Sequence, residues 1–187
     1  RMRMRTITCC LLLLASLLSV ASAQSPRTLV KKGNTAFAEK NYEEALAAYD
    51  AALEREPESP QLHYNRGAAL YQAGKYSEAA DAFEEAAVRF EDAAMQPKCQ
   101  YNIGNCRYRL AETEAGQNPE KALENLDRST RHYRNALETD PGLKDAAYNM
   151  EFARLTIEEI RKLIEQQQKQ QHRRDRKSTR LNSSHYS

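Results

Sequence analysis

The 187-residue sequence has no tryptophan, six glycines, six prolines and four cysteines, and only 7% of its residues are aromatic. So little glycine and proline argues against a collagen-like chain, and so few cysteines argue against a disulfide scaffold. The composition also argues against an all-β sandwich, because the helix-forming residues Ala, Glu, Arg, Lys, Gln and Leu dominate. We therefore expect a single domain that is all-α.

The motifs of catalysis and of metal binding are also missing. The sequence has no glycine-rich phosphate loop, no H-E-x-x-H motif and no nucleophile elbow. No cluster of His and Cys has the spacing of metal ligands, and His63 and His132 lie on different predicted helices. We expect no enzymatic activity, no catalytic residue, no bound metal and no cofactor.

Residues 1–23 have the pattern of a secretory signal. Three arginines lie among the first five residues, translation is expected to start at Met2 or Met4, and an apolar run follows over 11–20. Ala21-Ser22-Ala23 then provides a small-residue cleavage site. We expect export to a bacterial periplasm or cell envelope. The alternative is an uncleaved membrane anchor over 6–23, at the short limit for a span.

The other end of the chain has a different character. Residues 175–187 resemble one reading frame of a sequencing-library adapter, so we expect a non-native tail without a fold and a native sequence interrupted near Arg174. A membrane association through a missing C-terminus stays open. Between the two ends, residues 24–174 carry 22 Lys and Arg against 25 Asp and Glu, a net charge of −3. Nothing in this balance favours a nucleic-acid partner.

The body of the chain repeats itself. A Tyr-Asn step recurs at Tyr64-Asn65, Tyr101-Asn102 and Tyr148-Asn149, and a looser copy contains Gly33-Asn34. The aligned positions Gly33, Gly67, Gly104 and Glu151 are spaced by 34, 37 and 47 residues. A period of 34 is that of the tetratricopeptide repeat (TPR). Over about 27–154 the chain resembles TPR proteins, and this implies a solenoid of helical hairpins.

The resemblance divides the chain into a TPR domain over 24–156, with repeats at about 26–59, 60–96 and 97–143 and then a capping helix. Small residues let helices approach closely, rings fill the space between them and prolines stop helices, Pro60 among them. The residues predicted to pack the repeats are Gly33, Ala45, Tyr49, Ala52, Pro57, Gly67, Ala79, Phe83, Ala86, Gly104, Tyr133, Ala136 and Pro141.

The third repeat carries thirteen extra residues around 111–124. They contain a helix break, after which Asn118 is expected to cap a helix that begins at Pro119. We interpret the insertion as lengthening the flanking helices, with a contact site as the alternative. Cys99 and Cys106 lie seven residues apart on one predicted helix, about 10 Å apart, so we expect two small buried side chains and no mutual disulfide.

A long helix is predicted from Leu143 to about Gln170. Its first half caps the last repeat, whereas residues 157–164 project beyond the stack and stay apolar. This half either folds back or meets another chain. Residues 157–174 are therefore a helix extension and the start of a Gln-rich linker.

Without catalytic motifs, the chain is predicted to bind a protein. In TPR proteins the first helices of successive repeats line a concave groove, where rings supply buried area and amide or guanidinium groups bond a peptide. The candidate groove residues are Asn34, Phe37, Tyr64, Asn65, Tyr71, Tyr101, Asn105, Tyr108 and Arg109. Tyr71, Tyr108 and Arg109 are the main candidates, whereas the recurring tyrosines Tyr64, Tyr101 and Tyr148 either bind or pack between repeats.

TPR domains that grip the C-terminal carboxylate of cytosolic chaperones provide a specific test. Asn34, Asn65 and Lys98 match that five-residue clamp, but Val30 and Asn102 stand where it needs cations. We reject the chaperone interpretation, also because of the signal sequence.

A narrower resemblance is to the TPR proteins of the bacterial Bat aerotolerance gene cluster. It rests on the signal sequence, the few repeats, Tyr101-Asn102-Ile103-Gly104-Asn105, Asp140-Pro141 and the segment 145–153. The resemblance implies a non-enzymatic envelope scaffold that works beside membrane proteins with von Willebrand factor A domains. The alternatives are a TPR subunit of envelope-assembly or secretion machinery, and a regulatory module of a larger enzyme that continues beyond Arg174.

Overall fold

The computed structural model describes residues 24–185, which form seven helices and no strand. The helices are α1 Pro26–Ala38, α2 Tyr42–Leu53, α3 Pro60–Gln72, α4 Tyr76–Arg89, α5 Gln96–Glu114, α6 Pro119–Thr139 and α7 Lys144–His185. The first six pair as three hairpins, α1–α2, α3–α4 and α5–α6, and α7 packs against α6. This confirms the predicted all-α solenoid of helical hairpins. The signal-like segment 1–23 lies outside the described residues.

Local signals set the helix boundaries. Ser25 caps α1 by accepting a hydrogen bond from the Thr28 amide. Pro60 stands in the first turn of α3, so it starts a helix rather than ending one. The turn of the second hairpin places Gly74 at a φ of 77°, and the first hairpin places Lys40 at 62° in the same role. A left-handed residue is needed there, and only glycine adopts it without strain.

A glycine facing a ring holds each hairpin together. The three pairs are Gly33 with Tyr49, Gly67 with Phe83, and Gly104 with Tyr133. A Cβ atom on these glycines would lie 2.5, 3.0 and 2.6 Å from the ring, respectively. The glycines, alanines and rings predicted to pack the repeats are all buried. Pro57 and Pro141 were expected to share that role but are exposed in connecting turns, because they interrupt the backbone rather than fill space.

The insertion makes the third hairpin taller. Its helices α5 and α6 have 19 and 21 residues, whereas those of the first two hairpins have 12 to 14. Asn118 caps α6 through the Lys121 amide, as the sequence predicts. The expectation that residues 157–164 project beyond the stack is wrong. Ile157 and Ile160 are buried in a cluster with Ala111 and other residues of the lengthened helices.

The second half of α7 also differs from expectation. A linker was predicted near Gln170 and a tail without a fold beyond it, but the helix continues to His185. No glycine or proline follows Gly142, and the Gln, Lys and Arg residues of this stretch favour helix. The side chains of residues 165–177 are all exposed, so this part of α7 packs against nothing described here. None of the helices formed by residues 24–185 combines the length and the hydrophobicity that a membrane span requires.

Candidate functional site

The first helices of the hairpins and α7 share one side-chain pattern. Aligned on Gly33, Gly67, Gly104 and Glu151, they give three rows of equivalent positions. The rows are Val30, Tyr64, Tyr101 and Tyr148; Asn34, Ala68, Asn105 and Phe152; and Phe37, Tyr71, Tyr108 and Leu155. We call the surface formed by these rows the groove. Of its three positions on each helix, one is aromatic on α1 (Phe37) and two are aromatic on α7 (Tyr148 and Phe152).

An amide ladder ties neighbouring helices together along the groove. Each Asn of the Tyr-Asn steps donates from Nδ2 to the first helix of the preceding hairpin. The contacts are Asn65 to Asn34 Oδ1 at 3.5 Å, Asn102 to Tyr64 Oη at 2.9 Å, and Asn149 to Tyr101 Oη at 3.3 Å. The hydroxyls of the half-buried Tyr64 and Tyr101 therefore join successive repeats to each other, whereas Tyr148 is 71% exposed. The recurring Tyr-Asn step mainly holds the stack together, and only its last ring, that of Tyr148, is exposed.

A second set of hydrogen bonds lies within the hairpins. Tyr49 Oη donates to Asn34 Oδ1, and Tyr133 Oη donates to Asn105 Oδ1, both at 2.8 Å. Burial raises the pKa of both tyrosines, so the hydroxyls stay protonated donors. The oxygens of Asn34 and Asn105 are thus engaged inside the fold. In these two side chains, which were predicted to bind a peptide, only the Nδ2 atoms remain for a partner.

The aromatic end of the groove contains a pocket of about 250 Å³. We call it the aromatic pocket; it is lined by Tyr71, Asn105, Tyr108, Tyr133, Tyr148, Asn149 and Phe152. The Phe152 ring lies 5.8 Å from that of Tyr108 and stacks on that of Tyr148 at 6.4 Å, centroid to centroid. Tyr108 Oη lies 3.5 Å from Thr156 Oγ1, which fixes this ring against α7.

The predicted groove residues divide between this pocket and the rest of the surface. Tyr71, Asn105 and Tyr108 line the pocket. Asn34 instead lines a wider open depression of about 1000 Å³ on α1, with Arg27 and Lys31.

Outside the aromatic pocket, Phe37 and Asn65 also have partners within the stack. Phe37 packs edge-on against Tyr42 at 5.7 Å, and Asn65 accepts from Gln61 Nε2 at 2.9 Å. These side chains are therefore tied to the fold and have less freedom to meet a partner.

Arg109 lies at the rim and is already partnered. Its Nε and Nη2 atoms donate to Tyr76 Oη at 3.2 and 3.1 Å, its guanidinium lies 5.3 Å from that ring, and Nη1 pairs with Glu112. The hydrogen bond to Tyr76 raises the pKa of Arg109. Tyr76 in turn meets Tyr71 edge-on at 5.4 Å. The Arg109 guanidinium is therefore engaged by Tyr76 and Glu112 and does not present an unpaired charge.

Sequence reasoning missed Asn149 and Phe152 as groove residues. The signal was present, because Tyr148-Asn149-Met150-Glu151-Phe152 aligns position by position with Tyr101 to Asn105. Treating α7 as a cap concealed that it also contributes one wall of the groove.

The other reactive groups are structural in character. Cys99 and Cys106 are free and buried, and burial raises the pKa of their thiols to about 11 and about 12. Such thiols stay protonated and poorly nucleophilic. His132, for which no partner was expected, lies 2.8 Å from Gln100 Oε1 through Nδ1. Among residues 24–185, no group of three His, Cys, Asp or Glu side chains is arranged to hold a metal ion.

The comparisons with known proteins agree with this architecture. The tetratricopeptide repeat family model matches residues 30–94. The TPR repeat-containing thioredoxin TTL4 of Arabidopsis thaliana is 39% identical over 61 residues, which are 33% of this chain and 9% of that protein. The STIP1 homolog of Dictyostelium discoideum is 29% identical over 133 residues, 69% of this chain and 23% of that protein. The chain thus spans less than a quarter of the length of these relatives.

A solved structure shows the same fold. It is the second TPR domain of human RPAP3 in complex with the HSP70 peptide SGPTIEEVD, with a TM-score of 0.56 and 21% identity over 70% of this chain and 98% of that one. At this identity the likeness concerns the fold alone. Residues 30–94 thus match tetratricopeptide repeats, and the fold of the chain is that of TPR domains.

Proposed function

We propose that this tetratricopeptide repeat chain is a non-enzymatic scaffold that binds a segment of a partner protein in its groove. One observation carries the proposal. Tyr148 and Phe152 are 71% and 50% exposed at the aromatic pocket, whereas the rings of Tyr49, Phe83 and Tyr133 are buried against glycines. Exposed rings that cluster around a pocket are typical of a protein interaction site.

The position of these rings supports binding over further stacking. In the three hairpins a ring of the second helix covers the glycine of the first, but α7 has the exposed Glu151 at that position. A following helix could not approach Glu151 as closely as it approaches glycine. Because α7 therefore ends the stack, the exposed rings are left for a partner.

The chemistry of the groove also narrows the partner. The RPAP3 domain binds an HSP70 peptide, but this chain lacks two cations of the chaperone clamp, at Val30 and Asn102. We infer a different partner, a membrane protein with a von Willebrand factor A domain in a bacterial envelope. The support is the signal-like segment 1–23 and the resemblance to the Bat TPR proteins.

Site-specific photo-crosslinking in the envelope tests the proposal. A benzoylphenylalanine is placed at Tyr148 in one variant and at Val88 in the control. Val88 is 85% exposed on α4, outside the groove. We expect crosslinks to a protein with a von Willebrand factor A domain from position 148 but not from 88. Adding Tyr108→Ala and Phe152→Ala to the first variant should abolish them.

Two outcomes contradict the proposal. Equal crosslinking from both positions would show that the groove has no special role. Crosslinks from position 148 to secretion or outer-membrane assembly components would reassign the scaffold to that machinery.

A further inference from the structure

We infer that two copies of this chain pair through α7, with an exposed apolar stripe of one helix packed antiparallel against the same stripe of the other. The stripe consists of Tyr148, Phe152, Leu155 and Leu163. This pairing goes beyond the proposed function and does not depend on it. It rests on the spacing of the four side chains, the packing of the opposite face of α7 and the distribution of charge along the helix.

Exposed apolar side chains are concentrated on α7. Of the five large hydrophobic side chains that are exposed among residues 24–177, four form the stripe. They are spaced by four, three and eight residues and therefore lie on one face of the helix. Position 159 lies four residues from both leucines, completes the spacing and holds a glutamate. A stripe with this period, over about 22 Å of helix, is the pattern by which one helix packs against another.

The stack of the same chain covers a different face of α7. That face carries Ala153, Ile157 and Ile160, which are buried in a cluster with residues of α5 and α6. On the side of the stripe, the Tyr108 ring contacts Phe152 and still leaves it 50% exposed. Thus α7 is apolar on two faces, and a helix of that kind is normally buried on both. The stripe therefore has the character of an interface.

The charges of α7 are separated along the helix, and this identifies the occupant. Residues 144–159 have four acidic and two basic side chains, whereas residues 160–174 have one acidic and five basic side chains. The net charges are therefore −2 and +4, and all of these side chains are exposed. A parallel pair would place the two basic halves side by side. An antiparallel pair places the basic half of each copy toward the acidic half of the other, so the helix is complementary to itself.

The stripe also sets the register of the pair. When Tyr148 of one copy lies opposite Leu163 of the other, the two copies of Leu155 meet near the twofold axis. Glu159 then lies opposite Phe152 of the second copy. A parallel pair would instead place Glu159 against its own counterpart, and like charges that face each other are unfavourable. The antiparallel register therefore satisfies the apolar and the charged positions together.

One ion pair between the copies follows from this register. Glu151 and Lys162 lie 11 residues apart, which places them on the same side of α7, beside the stripe. In the antiparallel register, Lys162 of one copy comes within one helical turn of Glu151 of the other. The twofold axis produces this pair twice. Within its own chain, Glu151 lies 3.8 Å from Arg154 in an exposed ion pair and stays accessible.

The pairing has a consequence for the aromatic pocket. Tyr148 and Phe152 belong both to the stripe and to the lining of that pocket. A second copy and the partner of the proposed function therefore compete for the same two rings. The pair is the form of the chain without its partner.

Charge reversal tests the pairing in the full chain. Sedimentation over a range of protein concentrations gives the dissociation constant of the dimer. Glu151→Lys and Lys162→Glu should each weaken the dimer about tenfold, because each replaces two ion pairs by two pairs of like charge. An equimolar mixture of the two variants should dimerise as the original chain does, since each supplies the charge that the other has lost. Arg161→Glu, on the other side of the helix, is the matched control and should have no such effect.

Photo-crosslinking tests the register. A benzoylphenylalanine at Leu163 should give a product with the mass of two chains, linked near Tyr148 of the second copy. The same group at Val88, which is exposed on α4, should give none. Adding Leu155→Asp to the first variant should abolish the product, because two carboxylates would meet near the twofold axis. Leu155 is exposed, so circular dichroism should show an unchanged helix content.

Specific results overturn the inference. They are a chain that sediments as a monomer at every concentration, a mixture of the two charge variants that stays monomeric, or crosslinks from position 163 to a segment far from Tyr148. A monomeric chain whose position 148 still crosslinks a protein with a von Willebrand factor A domain removes this inference and leaves the proposed function. A dimer whose position 148 crosslinks only a second copy supports the inference and removes the proposed function.

Discussion

The second hairpin differs from the first and third at two linked positions. In the first and third, a Tyr on the second helix donates to an Asn that follows the packing glycine, Tyr49 to Asn34 and Tyr133 to Asn105. In the second, Phe83 replaces the Tyr and Ala68 replaces the Asn. The two changes go together because a buried hydroxyl without an acceptor is unfavourable, and so is an amide oxygen without a donor.

The comparison separates two roles of the ring. Packing against glycine needs only the ring, and all three hairpins retain it. The hydroxyl adds a bond that fixes the ring and orients the Asn. In the third hairpin this bond also places Asn105 beside Asn149, which builds the polar wall of the aromatic pocket. The second hairpin has the packing without the Asn, and it contributes only the ring of Tyr71 to the pocket.

The largest expected effect comes from adding a Cβ to a glycine that packs against a hydrogen-bonded tyrosine ring. We expect Gly104→Ala to lower the free energy of unfolding by about 2 kcal/mol, because the new Cβ would lie 2.6 Å from a Tyr133 ring held by its hydroxyl. Gly67→Ala should change it by less than about 1 kcal/mol. The Phe83 ring, at 3.0 Å, has no polar tether, and the helix gains from alanine.

Urea unfolding followed by circular dichroism measures both variants. Gly116→Ala is the control, since no atom lies within 4 Å of its added Cβ. Equal losses at Gly104 and Gly67 would show that the hydroxyl bond does not restrain the ring.

A smaller effect is expected from transplanting the polar pair. Phe83→Tyr should lower the free energy of unfolding by about 1 kcal/mol, because Ala68 offers no acceptor to the new hydroxyl. Adding Ala68→Asn should recover it, with a favourable coupling of about 1 kcal/mol in a double-mutant cycle. The reverse change, Tyr133→Phe, should lower stability by about 1 kcal/mol. Zero coupling would mean that the two positions vary independently.

Much of the fold follows from the sequence, because a few positions determine it. The glycine spacing and the rings at Tyr49, Phe83 and Tyr133 predict three hairpins, and the structure contains them. The course of α7 does not follow as directly. Its apolar residues Ile157 and Ile160 look unpartnered until the insertion is seen to lengthen α5 and α6 into a surface for them. That surface depends on tertiary packing, which no local pattern records.

The sequence predicts where the groove lies, but not which of its side chains are already engaged within the stack. Tyr71 and Tyr108 line the pocket, as their place in the repeat suggests. The engagement of Arg109 could not be inferred, because its partner Tyr76 begins a different helix, 33 residues earlier in the chain. Whether an amide is free or bonded inside the stack also depends on which residue of the neighbouring hairpin faces it.

The smallest expected effect is a pH dependence of the free energy of unfolding that arises from His132 in the third hairpin. His132 on α6 is half-buried, and this burial lowers its pKa; Glu84 opposes the shift, whereas Arg107, Arg131 and Arg128 add to it. Because its pKa is lower in the folded than in the unfolded chain, the unfolded state takes up the proton first as pH falls. Stability should therefore be fully present above about pH 6.5, the ordinary value for histidine, and decline below it. His132→Gln should reduce this decline in urea unfolding. An unchanged pH dependence in His132→Gln would show that the decline arises elsewhere.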